Sequence, residues 1–208
     1  MTGAVVLLSG GLDSAAALAW SAQRYDRLIA LSFEYHLRPF SERLAVFRQL
    51  LTFPARLVDV SLPFLKEACD LDLKGFRDLP EGYIPNRNMI FYSIASYHAQ
   101  VEGCEAIVGG HNAGDGEDFR DASRSFFDTL QQLTNLALLS HQVRVELPLI
   151  HFSKKQVLEK ALQWGVRFQD TWSCYWDGPT PCRRCASCRE RADAFRESGN
   201  IDPLLEAC

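Results

Sequence analysis

The sequence predicts an α/β fold: a doubly wound, mostly parallel sheet followed by a helical segment built around cysteines. Three observations predict it. Short apolar runs of strand length alternate with stretches of helix composition, the pattern of βαβ units covered on both faces. The run at 4–8 leads into Gly10-Gly11 and the run at 106–110 ends in Gly109-Gly110, at the strand ends where open parallel sheets place ligands. Four of the seven cysteines crowd together near the carboxyl end. At 208 residues, 47% hydrophobic and 23% charged, the chain has the size and balance of one globular unit with a substantial core. Residues 1–150 read as the α/β part and 151–208 as the helical segment.

The elements follow in order. Residues 4–8 are wholly apolar and read as a buried strand of a parallel sheet. A helix over 14–24, a strand over 27–33 and a helix over 41–51 come next, with Ser41 after Pro39 as its N-cap. Residues 55–60 form a third strand. From 61 to 83 Pro63, Gly75, Pro80 and Gly82 break any period, which predicts a lid or irregular loop. Order returns with an apolar helix over 89–101 and a strand over 106–110. The stretch 111–123 is polar and acidic, placed just beyond that strand's carboxyl end. A helix over 125–139, a short strand over 144–147 and a helix over 153–164 complete the series. Ser153 with Gln156 makes a capping box for the last of these, and Gly165 a stop.

A net charge of −4, with no long basic run, gives no general attraction to nucleic acid or to anionic membranes. The first residues lack a basic n-region and a long apolar run, so neither a signal peptide nor a membrane span is expected, and the cytoplasm is the expected compartment. In that reducing setting seven cysteines do not predict disulfides. Cys69, Cys104 and Cys208 are scattered and read as buried small residues or spectators. Cys174, Cys182, Cys185 and Cys188 have the spacing of a four-thiolate metal site, for which a structural zinc ion and an iron–sulfur cluster are the two candidates.

The chemistry-bearing stretch is Ser9-Gly10-Gly11-Leu12-Asp13-Ser14. Paired glycines let the backbone turn tightly and offer successive N–H groups to an anion, and the helix that follows adds its positive end. The lysine of the G-x-x-x-x-G-K-[ST] loop is absent, which excludes the usual kinase or GTPase loop. His36 and His111 take no assigned role. Trp164, Trp172 and Trp176 read as packing around the cysteine loop.

The six-residue string resembles the SGGxDS signature of the PP-loop ATP pyrophosphatases, which cleave ATP to AMP and pyrophosphate and so adenylate a substrate oxygen. The resemblance extends through 33–38, Pro85-Asn86-Arg87-Asn88, 109–137 and 171–188, and over these stretches the chain is similar to the 7-cyano-7-deazaguanine synthase family. It implies an adenine nucleotide alpha hydrolase-like fold and a carbon–nitrogen ligase that turns 7-carboxy-7-deazaguanine, ammonia and ATP into the nitrile precursor of queuosine. It also favours zinc at the four cysteines and a homodimer.

On that resemblance Leu8, Ser9, Gly10, Gly11, Leu12, Asp13, Ser14 and Ala15 would hold the phosphates, and Leu31 and Phe33 would flank the adenine. Asp13 would hold Mg2+ or orient the loop, and Arg87 and Lys154 would stabilise charge building on the phosphates. The family's D-x-S-G-Y-P-D-C-R segment is replaced here by Asp115-Gly116-Glu117-Asp118-Phe119-Arg120-Asp121. Asp118 and Arg120 are read as its acid and arginine and as readers of the deazapurine, with Asp121 as a further carboxylate. This departure leaves room for two other functions: a paralogue that makes an amide or modifies a tRNA base or protein amine, and a nucleotide-binding module without catalysis.

Overall fold

The computed structural model describes residues 2–35, 38–66 and 79–206. Five parallel strands, β1 (Gly3–Leu7), β2 (Arg27–Glu34), β3 (Arg56–Ser61), β4 (Ala106–Val108) and β5 (Arg144–Glu146), lie in the order β3-β2-β1-β4-β5. Central β1 pairs Val5 with Ile29 on one side and with Ile107 on the other. The chain builds outward to β3 and then returns past β1 to start β4. The order therefore reverses between β1 and β4, and the two glycine pairs come to lie side by side at one edge of the sheet.

Alternate residues of the strands feed two cores, as the pleat requires. Val5, Ile29, Leu31 and Ile107 pack with Tyr92 and Ala95 of α3 (Arg87–Val101) and Phe127 and Leu130 of α5 (Arg124–Ala137). Ala4, Val6, Ala30 and Val108 pack with Ala17 and Leu18 of α1 (Leu12–Ala22) and Val46 of α2 (Phe40–Thr52). The alanine run of α1 is what lets it lie close to the sheet while its far side meets a third layer. There Ala15, Ala16 and Ala19 contact Val157, Leu158 and Ala161 of α6 (Lys154–Gln163), joined by Phe195 of α7 (Ala186–Ser198).

The expected elements are present with shifted ends, and the polar stretch after β4 contains a short helix, α4 (Asp115–Asp118), and a 3-10 turn, Arg120–Ala122, that were not expected. The capping box of Ser153 and Gln156 forms, and Gly165 follows α6 at φ +83°. Ser41 is not an N-cap. α2 starts at Phe40 behind Pro39, and the Ser41 N–H donates to Asp177 Oδ1 at 2.8 Å, so a carboxylate from the cysteine segment caps the helix. Backbone donation from Ser41 and Phe40 holds that carboxyl below its ordinary range.

Of the tryptophans, Trp172 packs with Cys174, Cys185 and Cys188, Trp164 belongs to the α1–α6 core, and Trp176 is exposed. A guanidinium locks the end of the chain: buried Arg191 donates to both oxygens of Asp202, to Thr171 Oγ1 and to the Phe168 carbonyl. Most of the expected lid, with Cys69, lies outside the described residues, as do His36 and Cys208; its first residues place Leu62 and Leu65 in the core, where Ile84, just beyond its far end, joins them. Among the described residues no helix is long and apolar enough to cross a membrane.

Candidate active site at the carboxyl edge of the sheet

A cleft of about 330 Å³ opens where β1, β2 and β4 end. Its floor is the glycine loop. The Gly10 N–H donates to Ser14 Oγ at 3.2 Å and the Gly11 N–H to Ser9 Oγ at 3.1 Å, while the two hydroxyls stand 3.2 Å apart. Two backbone donors and two hydroxyls thus face one small volume at the start of α1, the arrangement that suits phosphate oxygens. Gly10 takes φ +102°, and a Cβ there would lie 2.2 Å from the Glu42 carbonyl oxygen, so only glycine fits. Leu8, Ser9, Gly11, Leu12, Asp13 and Ser14 line the cleft; Gly10 and the fully buried Ala15 lie behind its surface.

Charge is organised beside the loop. Lys154 Nζ, at the first residue of α6, lies 2.6 Å from Asp13 Oδ2 and 3.2 Å from Glu190 Oε2. Burial works against the Lys154 charge, yet Asp13, Glu190 and Asp115 outweigh it and raise its pKa. Asn112 spans two acids, its Nδ2 lying 3.3 Å from Asp13 Oδ1 and 3.1 Å from Asp115 Oδ1. Burial and then the Asp13 charge push Asp115 up to about 6, whereas burial and then Arg87 push His111 down to about 4, so His111 is neutral at pH 7. Two carboxylates joined through one amide form an oxygen-rich set that a hard divalent cation can use.

The far wall is apolar. Leu31 and Phe33 line it, with Phe33 stacked on Phe91 at 4.0 Å between ring centres. Arg87 sits at the start of α3 with its guanidinium 5.7 Å from the Phe119 ring centre, and both line the cleft. Asp13, Arg87, Lys154, Leu31 and Phe33 are therefore brought together as expected. Asp118, Arg120 and Asp121 are not. Asp118 and Arg120 are exposed, and Asp121 accepts from the Asn88 N–H at 3.0 Å. In the same stretch it is Asp115, Phe119 and Ala122 that reach the cleft, because α4 and the following 3-10 turn alternate the faces presented.

The cysteine segment closes the remaining side, with Cys174, Tyr175, Ser187 and Glu190 on the wall. One ligand atom from each of Cys174, Cys182, Cys185 and Cys188 lies within 4.8 Å of the others. Backbone N–H groups of Trp176 and Cys182 donate to Cys174 Sγ at 3.4 and 3.3 Å, and that of Cys185 to Cys182 Sγ at 3.4 Å. Donation from the Arg184 N–H first, and then from Cys185, pulls the Cys182 thiol down to about 6. Burial pushes the Cys174 and Cys188 thiols the other way, and it is the convergence of four sulfurs that fits a tetrahedral soft-ligand metal.

Sequence reasoning missed Arg38, Glu42, Asp115 and Glu190 on these walls, and buried Asn112 behind Asp13 and Asp115. Arg38 and Glu42 stood four apart with opposite charge, a visible sign of a paired helix start; Glu190 gave no sign at all.

A family model described as "Queuosine biosynthesis protein QueC" matches residues 3–199. The 7-cyano-7-deazaguanine synthase of Synechococcus sp. (strain CC9605) is 36% identical over 214 residues, covering 96% of this chain and 95% of the relative. That of Methanosarcina mazei is 33% identical over 228 residues, covering 98% and 97%. Among solved structures, an NMN synthetase from Francisella tularensis superposes with a TM-score of 0.56 at 18% identity, covering 98% of this chain and 81% of the other. A 4-thiouridine synthetase in complex with RNA and ATP gives 0.55 at 22%, covering 99% of this chain and 53% of the other. At these identities the structural likeness carries the fold alone.

Proposed function

The chain belongs to the QueC family of queuosine biosynthesis, the ATP-dependent 7-cyano-7-deazaguanine synthases, and we propose that the cleft beside its glycine loop performs both halves of that conversion. The observation that carries the reading is the loop itself: two N–H groups and two hydroxyls converge beside a lysine held between Asp13 and Glu190.

Ammonia cannot displace oxide from the carboxylate of 7-carboxy-7-deazaguanine. Transfer of AMP to that oxygen, with pyrophosphate leaving, creates a group that ammonia can displace. A second AMP transfer, to the amide oxygen with pyrophosphate leaving, lets the C–O bond break with AMP as leaving group while the nitrogen gives up its two protons, which leaves the nitrile. One cleft serves both rounds. The Gly11 N–H and the Ser9 and Ser14 hydroxyls receive phosphate oxygens, with the Gly10 N–H holding the Ser14 hydroxyl from behind, Lys154 and Arg87 offset the charge that develops, and Leu31, Phe33 and Phe91 receive the adenine. Mg2+ bound at Asp13, with Asp115 close by, would supply the positive charge a triphosphate requires. Buried His111, held neutral at pH 7, adds no positive charge beside Arg87. The planar substrate is assigned to the wall of Phe119, Arg87 and Asp115, which replaces the expectation built on Asp118 and Arg120.

Zinc at Cys174, Cys182, Cys185 and Cys188 would be structural, since four thiolates leave no open position. Residues 1–150 are taken as the nucleotide-binding part and 151–208 as the part that completes its cleft. A cytoplasmic location suits these reduced thiols. Pairing into a homodimer is supported by Phe40, Leu44, Phe47 and Leu51, which stand exposed along one face of α2, and light scattering tests it.

The deciding experiment supplies 7-carboxy-7-deazaguanine, ammonium and Mg·ATP, and follows pyrophosphate and product mass. The nitrile mass with pyrophosphate release is expected. An adduct on RNA or protein, or ATP binding without turnover, would replace this reading.

A further inference from the structure

Gln49 lies in the last turn of α2, is 3% exposed, and does not line the cleft. Its Nε2 nonetheless reaches the glycine loop from behind. It donates to the Gly10 carbonyl at 2.7 Å and to the Asp170 carbonyl at 3.2 Å. The Trp172 N–H adds a second donor to Gly10 O at 3.0 Å, and Arg38 Nη2 holds the Ser9 carbonyl at 2.5 Å.

A trans peptide is planar, so a carbonyl and the N–H of the next residue point in opposite directions. Holding the Ser9 and Gly10 carbonyls at the back therefore turns the Gly10 and Gly11 N–H groups to the front. That is the side on which Ser14 Oγ and Ser9 Oγ accept from them. Glycine at φ +102° is permissive and would also allow the flipped peptide, with a carbonyl oxygen aimed at the phosphates. The rear donors select against that flip.

The other end of the amide sharpens the point. Gln49 Oε1 is buried and has no hydrogen-bond partner among the described residues, an expense few buried groups carry without reason. Rotating the amide would set that oxygen against two carbonyl oxygens. The side chain thus gives up its acceptor to keep both donors on the loop and on the segment leading to the cysteines.

We propose that Gln49 is a positioning residue for the phosphate cradle, acting through the Gly10–Gly11 peptide rather than on any ligand. This rests on the reading that the glycine loop binds the phosphates. Loss of one neutral hydrogen bond, about 1 kcal/mol, predicts roughly fivefold weaker binding.

The test is calorimetric titration of Gln49→Met, which keeps the volume and removes the donors, with ATP, pyrophosphate and adenosine. ATP and pyrophosphate should bind roughly fivefold more weakly, while adenosine, which never meets the cradle, should bind as to the unaltered protein. ATP affinity within twofold, or equal weakening of all three, overturns the proposal. Gln49→Asn, whose amide is drawn back by one methylene, should show the same split. If neither variant folds, Gln49 is a folding residue and the proposal fails. Gly11→Val separates the two claims: if it leaves ATP binding intact, the loop reading itself is wrong. If Gly11→Val weakens ATP and Gln49→Met does not, only the role of Gln49 falls.

Discussion

Replacing Gly110 by alanine should damage catalysis far more than stability. A Cβ on Gly110 would lie 2.6 Å from the Asp13 carbonyl oxygen, 2.7 Å from its carbon and 2.9 Å from the Ser14 nitrogen. All three are backbone atoms in the first turn of α1, so no side chain can swing aside. Ordinary contact begins at 3.4 Å, and the turn must retreat by roughly 0.8 Å. It has nowhere to go, because Ala15, Ala16 and Ala19 are already packed on Val157, Leu158 and Ala161. Overpacking of this kind costs about 1–3 kcal/mol, which for a chain of this length lowers Tm by roughly 2–12 °C. The same shift moves Asp13 away from Lys154 and Asn112, and a misplacement near 1 Å can reduce turnover by about 100-fold.

Pyrophosphate release and a thermal melt measure the two effects on one preparation. Gly103→Ala is the comparison: its φ is +61°, nothing lies within 4 Å of its Cβ, and it is outside the cleft, so it should lose about 1–2 kcal/mol with kcat/KM unchanged. A folded Gly110→Ala protein with kcat/KM within twofold of the unaltered chain would refute the reasoning.

Three further outcomes follow from the same geometry. Lys154→Met leaves Asp13 and Glu190 facing the phosphates with no cation between them, and pyrophosphate release should fall by about 100-fold or more at unchanged metal content. His111 titrates near 6.5 unfolded and about 4 folded, so its share of stability is lost as pH falls across that window. Asp115, raised from 3.8 to about 6, contributes the opposite sign as pH falls through its own. His111→Phe removes the first dependence and keeps the second. Its unfolding free energy in urea should therefore improve relative to the unaltered chain by roughly 2–3 kcal/mol between pH 7 and 4.5, and parallel pH profiles would contradict the assignment. Metal analysis should find one zinc per chain without labile sulfide. Cys185→Ser should release it and lower Tm, since Trp172 packs on that sulfur.

The sheet was readable because it depends on local signals: apolar runs such as Val5-Val6-Leu7 can only be buried, and the glycine pairs mark where such runs end. The glycine turn after β1 was readable for the same reason. What escaped was fixed by register rather than composition. Residues 115–121 carry four acids and an arginine, and residue type alone cannot say which of them face the cleft. A four-residue helix followed by a 3-10 turn sends Asp115 and Phe119 inward and Asp118 and Arg120 outward. A one-residue change in where α4 begins would invert that choice, and no apolar period marks the start.

The contacts that span the chain were illegible for a different reason. Asp177 caps α2 across 136 residues, Gln49 reaches Asp170 across 121, and Lys154 meets Asp13 across 141. Each joins the cysteine segment, or a stretch before it, to α2 or to the loop at the amino end. Their common effect is that residues 170–190 form one wall of the cleft beside the glycine loop. A four-thiolate site that only tied down the carboxyl end could be lost with activity retained in whatever fraction stays folded. One that sets Trp172 against Gly10 and Glu190 against Lys154 could not. Chelation at a temperature where the protein stays folded separates these two cases, and the contacts across the cleft favour loss of ATP binding in step with loss of metal.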